Sequence, residues 1–354
     1  MTAGRSRGEG RPTLAVVGAT GLAGTVLLDV LSTRQDVWGE VRLVASNRSA
    51  GRLMRVRGEE LVVQPLAPEV FDGVDIAMFD LPDDETLRWA PIAVERGAVV
   101  VDNSSAYRMD PDVPLVAPDV NPAQVTNRPK GVVANPGSTT LTVLDSVMCL
   151  HQQWGLTELV VTAHLAASGA GAGQRGVDRL MRETDVVSGA SDLGQRPGDV
   201  RSAISERLGR RTSPFPAPLA LNVVPWVGTA EDAGWSSEEL KVRREMRKIL
   251  GVPELRVATT CVRVPVLTGY SVAVHARFQR DVDVARARRA LVEAPSVVML
   301  DDVESLEFPT PVDVVGADPA FVGRLRQARD FPNSLDWFVC GDNLRRGAAI
   351  NTAR

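Results

Sequence analysis

Cysteine, histidine and tyrosine are scarce here, with three, three and two copies in 354 residues. Cys149, Cys261 and Cys340 are scattered without metal-ligand spacing, and only His151, His164 and His275 could join them, so no metal site is expected. Thiols placed in this way suit a reducing cytoplasm. A charge excess is also missing: a net charge of -4 gives no electrostatic ground for nucleic-acid or membrane binding. No apolar run approaches about 18 residues, so no transmembrane helix is expected. The stretch Met1 to Arg11 has no apolar core and reads as a disordered tail, not a signal peptide. What remains is 44% hydrophobic and 24% charged, in a chain too long for one ordinary core; two globular domains are the expectation.

The first 130 residues alternate apolar strands with amphipathic stretches. Leu14 to Val17 reads as a buried strand, followed by Gly18-Ala19-Thr20-Gly21-Leu22-Ala23-Gly24 and a helical pattern from Thr25 to Leu31. Strand, glycine-rich turn and helix in that order form the setting for dinucleotide binding, with the phosphates at the helix N-terminus. The second strand, Val41 to Ala45, leads to Ser46, Arg48, Ser49 and Arg52 where an NAD site would carry an acid. Hydroxyls and guanidinium groups suit a 2′-phosphate, so NADP is the expected cofactor. Against this stands the end of the third strand, Val74 to Phe79. It runs into Asp80-Leu81-Pro82-Asp83-Asp84-Glu85, whose carboxylates would repel a pyrophosphate. The expectation is that these acids form a solvated helix start with Asp83 as cap, favoured by the helix dipole.

The strand Ala98 to Val101 continues into Asp102-Asn103-Ser104-Ser105-Ala106-Tyr107-Arg108 and on to Asn121. That run closely resembles the aspartate-β-semialdehyde dehydrogenases. Gly18 to Gly24, Ala45 to Arg52, Thr260 to Val266 and Gly341 to Ala349 agree with the same family, in its order along nearly the whole chain. The resemblance implies an α/β protein with a Rossmann-type dinucleotide-binding domain and a mixed α/β catalytic and dimerisation domain. It places the first at 12–135 completed by 341–354, the second at 136–340, and the tail at 1–11. It implies a cytoplasmic enzyme of amino-acid biosynthesis, reducing aspartyl phosphate with NADPH through a thioacyl cysteine and an acid–base histidine.

Several of the family's binding residues have counterparts. Arg108 matches its phosphate-binding arginine and Arg263 the arginine that clamps the substrate α-carboxylate, where a bidentate guanidinium is apt. Glu238 and Lys241 match a pair that binds the substrate amine and phosphate, three apart and so on one helix face. Asn343 matches a cofactor-contacting asparagine at the start of a C-terminal helix returning to the first domain. Gly18, Thr20, Gly21, Leu22, Ala23, Gly24, Ser46, Arg48 and Ser49 complete the expected cofactor contacts.

The reacting groups differ. Asn135-Pro136-Gly137-Ser138-Thr139-Thr140 puts Ser138 where the family has its cysteine, between a strand at Gly131 to Val133 and a helix at Leu141 to Leu150. Gly269-Tyr270-Ser271 puts Tyr270 at the histidine, and Leu165 falls at the glutamine that orients the nucleophile. His275, five residues along a strand from Tyr270, lies on the opposite face and does not substitute. A serine needs an adjacent base where a thiol does not, and loss of a covalent nucleophile costs on the order of a million-fold in rate. Ser138 also reads simply as a helix N-cap, Tyr270 as a strand aromatic and His164 as a core or interface histidine.

Besides weak survival of the family's own activity, two readings remain open. One is an oxidoreductase scaffold binding an aspartate-like small acid, its thiolate chemistry lost or replaced by proton handling at Ser138 or Tyr270. The other is a catalytically silent paralogue that binds ligand or pairs, as homodimer or heterodimer, with a related dehydrogenase. The Gly-, Ser-, Arg- and Pro-rich stretch Ser188 to Pro218 has no periodicity and reads as a mobile surface loop.

Overall fold

A computed structural model describes residues 10–34, 37–169, 171–209 and 213–354. Most of the expected N-terminal tail, 1–9, lies outside the described residues. The chain forms two compact units, Met1–Gly137 with Ala348–Arg354, and Ser138–Gly347.

The first unit begins with β1 (Leu14–Val17), α1 (Leu22–Ser32) and β2 (Val41–Ala45), followed by the hairpin β3 (Leu53–Val56) and β4 (Glu59–Pro65). It continues through β5 (Ile76–Phe79), α2 (Asp83–Glu95), β6 (Val99–Asp102) and β7 (Val132–Ala134). The seven strands lie in the order β3-β4-β2-β1-β5-β6-β7, parallel apart from the β3/β4 pair. The run of β1 is buried at all four positions, as a strand covered on both faces requires. Strand order reverses beside β1, so the ends of β1 and β5 flank the switch point where ligands of such sheets bind. Leu27, Leu31, Leu43, Val63 and Met78 form the core with Ile350 and Ala353 of the C-terminal helical turn.

The second unit opens with α3 (Ser138–Trp154), β8 (Leu156–Leu165), α4 (Gly173–Val187) and α5 (Asp199–Leu208). After α6 (Ser237–Leu250) come β9 (Arg256–Arg263), β10 (Tyr270–Phe278), α7 (Val284–Glu293), β11 (Val297–Met299), β12 (Ala320–Gln327) and β13 (Ser334–Gly341). Its mixed sheet runs β11-β12-β13-β10-β8-β9.

Four sequence expectations shift. The described part of Ser188 to Pro218 is not simply a loop: it holds α5, whose buried Ile204 packs with Leu180, Phe215 and Leu219. Helix α3 starts three residues before Leu141, at Ser138 itself. Asp83 is not the cap of α2; Pro82 holds that position, and the Asp83 carboxylate accepts the Ser105 N–H at 2.8 Å. Residues 341–347 belong with the second unit, because Asn343 Oδ1 accepts the Gly269 N–H at 2.9 Å and Asp342 Oδ2 that of Gly316 at 2.8 Å.

Candidate functional site

In the second unit a cluster gathers around the start of α3. Ser138 opens that helix, and its carbonyl accepts the Thr142 hydroxyl at 2.8 Å. The hydroxyl of the next residue, Thr139, donates to Glu238 Oε1 at 2.6 Å, tying α3 to the first turn of α6. That turn is fixed by a capping box: Ser236 accepts from the Glu239 N–H while Glu239 accepts from the Ser236 N–H. Glu239 also accepts the Cys261 N–H at 3.1 Å, which locks α6 against β9.

Tyr270, the first residue of β10, is fully buried beside Ser138. Its ring fits only because residue 169 is glycine; a Cβ there would lie 1.8 Å from the phenolic oxygen. The hydroxyl makes no hydrogen bond of good geometry to a described residue, although Ser138 lies close enough to favour its ionised form. Burial dominates and pushes the phenol up to about 12, with Glu238 reinforcing this and Arg263 and Ser138 opposing it. Tyr270 is therefore a neutral donor at physiological pH, not a base.

Arg263 closes β9 with its guanidinium buried, donating from Nη1 to the Ala166 and Gly169 carbonyls at 2.6 and 3.0 Å and lying over the Phe215 ring. Cys261 is also buried, and desolvation first, then Glu238 and Glu239, holds its thiol well above the ordinary range. No thiolate is to be expected there. Lys241 lies half-buried on α6, three residues on from Glu238. Asn343 is buried against Ser168 and Gly269.

The structure thus brings Ser138, Glu238, Arg263 and Tyr270 together, with Cys261 an added neighbour. Sequence spacing carried no signal for Cys261; only the pairing of β9 with β8 places it. The histidines lie elsewhere. Ser271, His164 and Val262 are register partners, one position off from Tyr270 and therefore on the other sheet face. His275 Nδ1 meets Asp336 Oδ1 at 2.7 Å on that same face.

The remaining candidates belong to the first unit. Arg108 is buried, donates to the Asn103 carbonyl at 2.7 Å and faces Asp102. Arg48 and Ser46 are exposed, whereas Ser49 is buried and accepts the Thr20 hydroxyl at 3.2 Å. Gly18 has φ 93°, and a Cβ there would meet the Asp80 carbonyl at 2.2 Å, so the turn after β1 needs glycine twice over. Asp80 is half-buried and not fully solvated as expected. Its Oδ2 lies 3.5 Å from where a Gly21 Cβ would stand, and the Gly24 N–H points to its carboxylate. That carboxylate puts a negative charge beside the turn that a pyrophosphate would approach, so the turn fits a dinucleotide poorly while Asp80 is ionised and in place.

Residues 147–346 match the semialdehyde dehydrogenase dimerisation domain, and residues 13–128 the semialdehyde dehydrogenase NAD-binding domain. An aspartate-semialdehyde dehydrogenase of Synechocystis is 37% identical over 341 residues, 96% of this chain and 95% of its own. One from Corynebacterium glutamicum is 39% identical over 347 residues, covering 96% and 97%. Among solved structures, aspartate semialdehyde dehydrogenase II complexed with ASA from Vibrio cholerae matches with a TM-score of 0.87. It shares 33% identity, covering 97% of this chain and 96% of that one.

Proposed function

This chain belongs to the semialdehyde dehydrogenase family, and from that premise we propose a scaffold that binds a small acidic amino-acid derivative but does not carry out thioacyl chemistry. The aspartate-semialdehyde dehydrogenases at 37% and 39% identity support an aspartate-like acid as the substrate class. In this reading Arg263 recognises the α-carboxylate, Glu238 the amine, and Lys241 the distal phosphate or acid. Ser46, Arg48 and Ser49 favour a 2′-phosphate, so NADP is the dinucleotide the first unit selects.

One observation carries the loss of the thioacyl route. The group beside the Ser138 hydroxyl is a phenol held neutral by burial, with a pKa near 12. A neutral phenol offers Ser138 no base, and a neutral serine is a poor nucleophile. Ser138 and Tyr270 remain able to donate hydrogen bonds to a bound oxyanion or carbonyl.

The test is phosphate-dependent oxidation of aspartate semialdehyde by the full chain with NADP. Wild type is expected to show no rate above background. Ser138→Cys combined with Tyr270→His is expected to gain a reactive thiol, seen as faster alkylation near neutral pH, since a helix N-terminus favours the thiolate. Wild-type turnover within about tenfold of an active relative would overturn the proposal.

A second reading, a catalytically silent subunit that pairs with an active relative, is favoured by the match to the dimerisation domain over 147–346. It differs in its partner, not in its chemistry.

A further inference from the structure

The head of α1 has no cap of its own. Gly21 at the N-cap contributes no side-chain hydrogen bond, and the first turn, Leu22-Ala23-Gly24-Thr25, carries no charge. The N–H groups there are the donors that a phosphate would take. One of them, the Gly24 N–H, instead approaches a side chain from the end of the neighbouring strand, whose oxygen lies 3.5 Å from where a Gly21 Cβ would stand. We propose that Asp80 is an internal anion seated in the phosphate cradle, so that a dinucleotide binds only by displacing or neutralising it.

This deepens the reading of an NADP-type site and rests on it for the choice of ligand. The glycine contacts hold the arrangement in place. Gly18 lies directly under the Asp80 backbone, and the Asp80 N–H donates to the Val17 carbonyl at 2.8 Å, so the carboxylate is aimed from a fixed base. The acids that follow behave otherwise: Asp83 turns to Ser105 and Glu85 accepts from the Trp89 indole.

The group is also poised to neutralise. Burial lifts its pKa to about 6, against the pull of the Gly24 N–H and with added repulsion from Asp102 on β6. Asp102 is the titratable group facing Asp80 from that side; it is bound to Ser104 and faced in turn by Arg108 and Asp83. A bound anion raises the Asp80 pKa further, so binding takes up a proton. Affinity then rises as pH falls towards 6, by at most about tenfold per pH unit, and levels off below.

The experiment is calorimetric titration of the full chain with NADP and with NAD between pH 6 and 8, with thermal melts for each protein. It compares wild type with Asp80→Ser and the isosteric Asp80→Asn. Wild type is expected to bind NADP progressively more weakly towards pH 8. At pH 8 the neutral variants are expected to bind at least about tenfold more tightly than wild type, with a flatter profile, as removal of one adjacent like charge implies. A gain confined to NAD would support the role of Asp80 and end the 2′-phosphate reading. If Asp80→Ser does not fold, Asp80→Asn decides the matter. A folded Asp80→Asn that binds neither dinucleotide more tightly than wild type would overturn the proposal.

Discussion

A single atom contact sets the character of the cluster around Ser138: the phenolic oxygen of Tyr270 stands where any side chain at residue 169 would begin. Gly169→Ala therefore forces the ring to move, an overpacking change that costs about 1–3 kcal/mol. Tyr270→Phe removes a buried hydroxyl with no well-formed hydrogen bond and is expected to leave stability unchanged or raise it by up to about 1 kcal/mol. With the hydroxyl gone, Gly169→Ala should cost less than in the wild-type background. Urea denaturation of the two single variants and the double variant measures this coupling, and additive effects would mean that the two residues do not touch. The family resemblance, carried by Asn135 to Thr140 and Gly269-Tyr270-Ser271, is what made Ser138 and Tyr270 legible as candidate site residues. Glu238 and Arg263 were named by the same resemblance, but the contacts that bring the cluster together were not legible. Glu238 meets Thr139 across 99 residues, and Cys261 joins through strand register, neither of which leaves a trace in local spacing.

At the scale of elements, the periodic ones were the readable ones. Leu14–Val17 and Val41–Ala45 have the expected bounds, because short apolar runs between turn signals leave little freedom. Helix α5 was missed for the opposite reason. Asp199–Leu208 is polar, with Ile204 its one buried residue, so its stability comes from partners and not from pattern. Those partners converge on α4. Glu183, fully buried, accepts from the Arg179 Nε at 2.6 Å and from the Leu219 and Ala220 N–H groups at 2.6 and 3.2 Å, while Arg179 reaches the Leu208 carbonyl. Glu183→Ala removes the carboxylate paired with a buried guanidinium and leaves two backbone donors unmatched, which costs about 3–5 kcal/mol. The expected result is a destabilised second unit, with early tryptic cleavage at Arg196, Arg201 or Arg207. A variant that melts and resists trypsin like wild type would refute this role.

For the molecule as a whole, composition fixed the number of domains, whereas the crossing points depended on single side chains such as Asn343. The sheet of the second unit presents two unlike faces. One face of its strands is buried, with Val161, Val272, Val274 and Val339 each at most 3% exposed. On the other face Val160 is 43% exposed, and Thr162, Ala273, His275, Arg326 and Phe338 line a shallow depression beside it. An apolar residue held open on a sheet face beside Ala273 and Phe338, with polar Thr162, His275 and Arg326 around them, fits a contact surface. A patch on a rigid sheet that meets its own copy about a two-fold axis uses every residue twice, so one substitution enters the interface in duplicate. The expectation is a homodimer in sedimentation velocity, with Val160→Glu shifting it to monomer by placing two carboxylates near the axis while the melting of the isolated chain changes little. A wild-type monomer at tens of micromolar would instead favour a heterologous partner, and mixing with an active relative would then yield a mixed dimer that Val160→Glu abolishes.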